Sequence, residues 1–125
     1  MGLPLVIQKY SGIKRIIYAT YYSWKGLVHG FINESAFRQE VVLAFVLVPV
    51  ANWLDVSNIE RLLMICVVFM VMIVELLNTA IEAAIDRIGV EYHELSGVAK
   101  DTASAAVLLS VAICIFVWVS IVFIN

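Results

Sequence analysis

An uninterrupted apolar run in the middle of the chain constrains the fold more than any other feature. It covers Leu62 to Val74, reads LLMICVVFMVMIV, and leads directly into the acidic residue Glu75. Such a run is typical of the interior of a longer helix that crosses a membrane, because a helix satisfies its own backbone polar groups where no water is present. The composition agrees, since 63% of the 125 residues are hydrophobic and only 14% are charged. We therefore predict an all-α membrane protein with a single domain.

A stripe of polar residues follows this apolar run. Glu75, Asn78, Glu82 and Asp86 are spaced i, i+3, i+7 and i+11, so that all four side chains lie on one face of a helix. Charged side chains at the end of a membrane helix are unfavourable when they face lipid. We therefore expect this stripe to face protein, a metal ion or water, and to be functional.

The rest of the chain divides around this segment into helices and short connections. Aromatic, apolar and basic residues recur near helical spacing over residues 1–30, which predicts an amphipathic helix at the membrane interface. The predicted spans are 35–54, 59–88 with a cytoplasmic extension, and 100–124, and a cytoplasmic loop covers 89–99. Three spans are too few to shelter several acids, so we expect a homo-oligomer.

The basic residues predict the orientation in the membrane. Arg61 alone falls on one side of the three spans. The other seven of the eight basic residues fall on the opposite side: Lys9, Lys14, Arg15, Lys25, Arg38, Arg87 and Lys100. Basic residues are enriched on the cytoplasmic side of membrane proteins. We therefore place the N-terminus and the 89–99 loop in the cytoplasm and the C-terminus outside.

The polar residues at this cytoplasmic face suit phosphoryl transfer. Carboxylate oxygens are ligands that Mg²⁺ prefers, and Mg²⁺ keeps waters while it bridges phosphate oxygens. Lys100 could neutralise phosphate charge, and a further carboxylate could take a proton from an alcohol. The chain has no glycine-rich phosphate loop, no zinc-protease motif and no serine-hydrolase motif. No basic patch suggests nucleic acid, and Cys66 and Cys114 are expected to be free thiols within apolar runs.

Structural roles remain open for each of these residues. Asn78 could hydrogen-bond between helices, and Glu82 could pair with a basic residue across the bundle. His93 could be an ordinary exposed histidine, and Lys100 and Asp101 could be solvated charges where a helix begins. A bundle that conducts protons or cations would also place acids in helices, but it requires a polar path through the whole bilayer.

Three motifs carry a resemblance to a known family. They are VELLNTAIEAAIDRIGVEYHELSGVAKDTASAAVL at Val74–Leu108, NESAFRQE at Asn33–Glu40 and YSWKGL at Tyr22–Leu27. This sequence resembles the bacterial integral-membrane diacylglycerol kinases. The resemblance implies a homotrimer in the inner membrane, with active sites shared between subunits. It also implies a magnesium-dependent reaction of phospholipid biosynthesis that converts ATP and 1,2-diacylglycerol to ADP and phosphatidic acid.

The resemblance also implies a role for individual residues. Glu75 matches the catalytic base, Glu34 and Glu82 match the metal ligands, and both ligands also belong to the ATP site. The other positions matching the ATP site are Arg15, Tyr22, Glu91, Tyr92, His93, Lys100 and Asp101. The positions matching substrate binding or site support are Asn78, Ser104, Arg38 and Trp24.

The alternative lipid substrate for the same phosphoryl transfer is undecaprenol. Relatives of this family phosphorylate undecaprenol with the same acidic residues. The WKGL and HELSGVAKD segments resemble the diacylglycerol branch more closely, so we expect diacylglycerol to be the substrate.

Overall fold

The structure, a computed structural model, describes residues 10–124 and is helical almost throughout. Its helices are α1 (Gly12–Asn33), α2 (Ser35–Trp53), α3 (Asn58–Ile88) and α4 (Glu94–Val119), and a π-helical turn over Ser120–Ile124 extends α4. The start of the predicted 1–30 helix, and Lys9 with it, lies outside the described residues.

Three of the helices are long and apolar enough to cross a membrane: α2, α3, and α4 with its π-helical turn. This confirms the predicted all-α membrane fold. At ~1.5 Å per residue, the 31 residues of α3 extend about 46 Å, which exceeds the ~30 Å hydrocarbon core. One end of α3 therefore reaches beyond the lipid tails.

Helix α4 begins at Glu94, six residues before the start that we predicted for the last span. The connection between α3 and α4 is therefore shorter than the predicted loop 89–99, and Asp101 lies inside the helix. The reason is a capping interaction, since the backbone N–H of Leu95 donates to His93 Nδ1 at 3.1 Å. Glu94 adds a negative charge to the first turn, where the helix dipole favours one.

A narrow stripe of α3 forms the centre of the packing. Met64, Val68, Val71 and Glu75 are buried, and their spacing of four, three and four residues places them on one helical face. On α2 the buried residues are Phe37, Ala44 and Ala51, each seven apart. Small residues such as these alanines allow helices to approach closely in a membrane. Glu75 is therefore the last member of the stripe through which α3 packs against its neighbours.

Arginines close the two tight junctions of the fold. Glu34 is the single residue between α1 and α2, and Arg38 Nη1 donates to the carbonyl oxygens of Phe31 and Ile32 at 2.9 and 3.1 Å. At the α2–α3 turn, Arg61 Nε donates to the Ala51 carbonyl oxygen at 3.1 Å, and Nη2 donates to that of Leu54 at 3.1 Å. Each guanidinium thus satisfies carbonyl groups that a helix end leaves without partners.

Candidate active site

The central residue of the candidate site is Glu75. Its side chain is only 6% exposed, although it is an acid near the middle of a membrane-spanning helix. The carboxyl group of Glu40, on α2, and the amide of Asn78 are neighbouring polar groups of Glu75. Glu82 and Glu34 are close enough to act on Glu75 electrostatically. Glu75 is therefore surrounded by other acids rather than neutralised by a basic residue.

Asn78 links Glu75 to the next acid of the stripe. Its Nδ2 donates to Glu82 Oε1 at 3.0 Å, one helical turn further along α3. The other end of the amide, Oδ1, is buried and has no hydrogen-bond partner within residues 10–124. A buried acceptor without a donor is rare in a folded protein. Asn78 therefore fixes the Glu82 carboxylate and leaves an oxygen free for another group.

Glu34 reaches the site from the break between α1 and α2. Its backbone is extended, with φ −112° and ψ 107°, so it belongs to neither helix. Gly30 makes this close junction possible, since a Cβ there would lie 3.1 Å from Leu76 Cδ2 and 3.2 Å from Phe37 Cδ2. Arg38, which we predicted to support the site, fastens the same junction through its bonds to α1. The tight turn thus holds Glu34 near Glu75.

The oxygens gathered here suit a hard metal ion better than a soft one. Within the described part of one chain, no three His, Cys, Asp or Glu side chains converge as a ready-made metal site. Glu34 and Glu82 each lie near Glu75, and Asn78, whose Oδ1 has no partner among the described residues, contacts Glu82. Such oxygens suit an ion that takes its remaining ligands from water and phosphate. This is the donor set expected for Mg²⁺ bound together with a nucleotide.

The basic residue of the site is paired in the structure. Lys100 Nζ lies 2.7 Å from Asp86 Oδ1, and this ion pair joins the start of α4 to the end of α3. Both side chains are substantially exposed, at 44% and 66%. Asp101 and Ser104 are exposed on α4 close by. The pair places a positive charge at the same end of the bundle as Glu82.

The short loop between α3 and α4 forms a pocket. Its volume is about 710 Å³, and Glu91, Tyr92 and His93 line it together with the last turn of α3 and the first turn of α4. We predicted from the family resemblance that these three residues belong to the ATP site. The structure gathers them around one open cavity at the acidic end of α3.

The predicted site residues of α1 are not joined to this group by any hydrogen bond or ion pair that the structure describes. Arg15, Tyr22 and Trp24 are exposed on the surface of α1. The ring of Tyr22 lies instead beside that of Tyr18, with their centroids 6.4 Å apart. Within one chain, the described residues form two neighbouring groups. Glu34 lies near the acids of α3, and the loop residues form a pocket beyond them, at the end where Lys100 pairs with Asp86.

Sequence reasoning assigned no role to Glu40. A usable signal was present, because Glu40 lies three residues after Phe37 and four before Ala44, both of which are buried. Its proximity along the chain to Arg38 suggested a residue at the membrane boundary instead. Asp86 was recognised as part of the stripe, but its pairing with Lys100 was not predicted.

Comparison with known proteins gives one consistent result. The sequence profile described as "Prokaryotic diacylglycerol kinase" matches residues 21–122. The diacylglycerol kinase of Escherichia coli (strain K12) is 57% identical over 108 residues, which cover 86% of this chain and 88% of that protein. The diacylglycerol kinases of Haemophilus influenzae and Pseudomonas aeruginosa are each 48% identical, over 92% and 94% of this chain and 98% and 96% of theirs. The matched region includes every residue of the candidate site except Arg15.

Proposed function

The chain belongs to the prokaryotic diacylglycerol kinase family, and from this premise we propose that it transfers the γ-phosphate of ATP to the free hydroxyl group of 1,2-diacylglycerol. The products are phosphatidic acid and ADP. The protein is a lipid kinase of the bacterial inner membrane. The observation that carries the proposal is the buried Glu75 at the end of a membrane-spanning stripe, with further carboxylates beside it. Lipid and nucleotide meet only at such a boundary.

Glu75 is the catalytic base. Its carboxylate accepts the proton of the lipid hydroxyl and aligns the oxygen for in-line attack on the γ-phosphorus. Burial supports this role, because a water-poor position strengthens the interaction of a carboxylate with its substrate. The lipid reaches Glu75 sideways from the membrane, with Ser104 near its hydroxyl group.

Glu34 and Glu82 would hold Mg²⁺. The ion would supply positive charge that offsets the negative charge developing on the transferred phosphoryl group. The bond from Asn78 Nδ2 to Glu82 supports the assignment, since it restrains the carboxylate before any ligand arrives. Restraint of this kind reduces the entropy lost on binding.

Lys100 and Asp101 bind the nucleotide together with the pocket of Glu91, Tyr92 and His93. Lys100 contacts the phosphates, and the pocket residues cover the nucleoside. Arg15 and Tyr22 complete the ATP site from α1, and Arg38 and Trp24 support it.

The protein is a homotrimer, with the N-terminus and the α3–α4 loop in the cytoplasm and the C-terminus outside. The seven-to-one distribution of basic residues supports this orientation, which gives the site access to cytoplasmic ATP. Sharing of sites between subunits would bring the α1 residues to the acids, since Arg15, Tyr22 and Trp24 are exposed on α1 and make no described hydrogen bond or ion pair with the α3 acids of the same chain.

Asp86→Asn tests the link between the ion pair and nucleotide binding. In the free protein Asp86 competes with phosphate for Lys100, so its loss is expected to lower the KM for MgATP. An ion pair this exposed is weak, so the change in KM should be no more than about 5-fold. The measurement is the initial rate against MgATP concentration at low and high salt, and the difference should shrink at high salt.

The matched control places Asp86→Asn in a Lys100→Met background. In that background the substitution should leave the KM for MgATP unaltered, because the Lys100 ammonium group for which Asp86 and phosphate compete is absent. A higher KM for the single variant would instead place Asp86 among the groups that bind nucleotide or metal.

The decisive experiment for the function is phosphate transfer from MgATP in mixed micelles that contain either 1,2-diacylglycerol or undecaprenol. We expect phosphatidic acid to form and undecaprenol to be a poor substrate. Preference for undecaprenol would keep the chemistry and refute the substrate. Transfer to neither lipid, by protein that elutes as a folded oligomer, would refute the kinase function.

A further inference from the structure

Helix α1 carries a row of lysines and tyrosines that the mechanism above leaves mostly unused. The row consists of Lys14, Tyr18, Tyr21, Tyr22 and Lys25, whose spacing of four, three, one and three residues places them on one helical face. All of them are exposed except Tyr18, which is half-buried. This lysine–tyrosine face extends about 16 Å along the helix, at ~1.5 Å per residue.

The tyrosine rings of this face are stacked on one another. The ring of Tyr18 lies 4.3 Å from that of Tyr10, between centroids, and the two ring planes differ by only 15°. On its other side Tyr18 is stacked with Tyr22, with the centroids 6.4 Å apart. Stacked rings restrain one another, so the tyrosine hydroxyl groups have a fixed arrangement on the surface of α1.

Both lysines of the face lie over aromatic rings. Lys14 Nζ is 5.1 Å from the centroid of the Tyr10 ring, and Lys25 Nζ is 5.5 Å from that of the Tyr21 ring. A cation is attracted to the face of an aromatic ring at such distances. Each ring therefore restricts where its ammonium group lies, while the exposed lysine remains accessible to an anion.

The positive charge of α1 has no counter-charge within the described part of the chain. Between Gly12 and Asn33 the helix contains Lys14, Arg15 and Lys25 but neither aspartate nor glutamate. None of the three forms an ion pair with an acid of residues 10–124, whereas Lys100 is paired with Asp86. The charge complementary to α1 must therefore come from outside the described chain.

The opposite side of α1 indicates where this partner lies. Ile13, Ile16 and Trp24 are 60–76% exposed, so no other part of the described chain covers them. The end of α1 is fixed to the membrane-spanning helices, since Gly30 is buried against Leu76 and Phe37. An apolar face attached to a membrane-spanning bundle is covered by lipid tails, which leaves the lysine–tyrosine face at the depth of the lipid headgroups.

We propose that the lysine–tyrosine face of α1 binds the phosphate groups of anionic phospholipids. Lys14 and Lys25 are the cationic contacts, and the tyrosine hydroxyl groups are neighbouring hydrogen-bond donors. The cytoplasmic leaflet, where we place α1, carries the anionic lipids that attract basic segments. A zwitterionic headgroup brings its own cation, which competes with lysine for the phosphate, so the face should prefer anionic lipids. The inference is independent of the phosphotransfer mechanism.

The test uses the full chain in phosphatidylcholine vesicles and measures the quenching of tryptophan fluorescence by brominated lipids. The part of the fluorescence that is absent from a Trp24→Phe protein comes from α1 and reports the lipid beside this helix. We expect brominated phosphatidylglycerol to quench this part more strongly than brominated phosphatidylcholine, and the difference should shrink at high salt. The measurement needs neither ATP nor diacylglycerol, so failure of the proposed kinase function would not affect its outcome.

Three substitutions separate the charge from the ring. Lys14→Gln and Lys25→Gln should each lower the preference for phosphatidylglycerol by up to about 5-fold, since one basic residue near an anionic surface contributes about 1 kcal/mol. Tyr21→Leu keeps the charge of Lys25 but removes the ring beneath it, and we expect a loss of about 2-fold. The matched control is Arg87→Gln, which removes an exposed positive charge from the last turn of α3 and should keep the preference.

Several results would overturn the proposal. Equal quenching by the two lipids in the wild type would show that α1 does not select anionic headgroups. Equal losses in Arg87→Gln and in the lysine variants would show a general attraction of the bundle rather than a site on α1. An unaltered lipid preference with a higher KM for MgATP in the lysine variants would place this face in the nucleotide site instead. Circular dichroism of the same samples should show unchanged helix content, because the substituted side chains are exposed.

Discussion

Glu75→Gln is expected to lower kcat by about 100- to 10,000-fold, the contribution typical of a positioned general base. Glutamine has nearly the same shape as glutamate and remains neutral, so it cannot accept the proton of the lipid hydroxyl. The fold should persist, because Glu75 ends a buried stripe and a neutral amide is easier to bury than a charge. The measurement is the initial rate of phosphatidic acid formation in mixed micelles, with thermal unfolding recorded for the same samples.

The matched control for this variant is Glu94→Gln. Glu94 is an exposed acid in the first turn of α4, and no role in the reaction is proposed for it. This control should retain kcat. Its free energy of unfolding should fall by no more than about 1 kcal/mol, because the favourable interaction of Glu94 with the helix dipole is lost. Full activity in Glu75→Gln would show that another group takes the proton.

Glu82→Gln is expected to weaken magnesium-dependent use of ATP by about 100-fold or more, since losing even an outer-shell partner of a bound metal costs about 10- to 100-fold. The substitution keeps the hydrogen bond to Asn78, because the glutamine oxygen can still accept from Asn78 Nδ2, as Glu82 Oε1 does at 3.0 Å. Geometry is therefore retained while the negative charge is lost. The measurement is the rate as a function of free Mg²⁺ at fixed ATP, and the midpoint should move to higher Mg²⁺.

Glu94→Gln again provides the reference, because it removes one negative charge at the same end of the bundle without changing the candidate metal ligands. Its magnesium midpoint should match that of the wild type. An unaltered magnesium dependence in Glu82→Gln would exclude this residue from the metal site and leave Glu34 without its proposed partner.

The membrane class of the protein could be predicted because it depends on local properties of the chain. The predicted second span, residues 59–88, is long enough to cross a bilayer in any packing arrangement, and helical spacing alone aligns Glu75, Asn78, Glu82 and Asp86. The family could also be predicted, since its motifs are read along the chain. The start of α4 was not predicted, because the residue that caps it, His93, is a less common helix cap than Ser57, which caps α3.

The contacts between helices were decided only by the tertiary structure. Glu40 of α2 lies near Glu75 of α3, and Lys100 of α4 pairs with Asp86 of α3. Neither proximity could be predicted from helical spacing, because each joins two different helices. The sequence determines which residues share a face of one helix, since that depends only on the helical repeat. Which faces then meet depends on the rotation, depth and crossing angle of whole helices, and these follow from the sum of many small packing interactions.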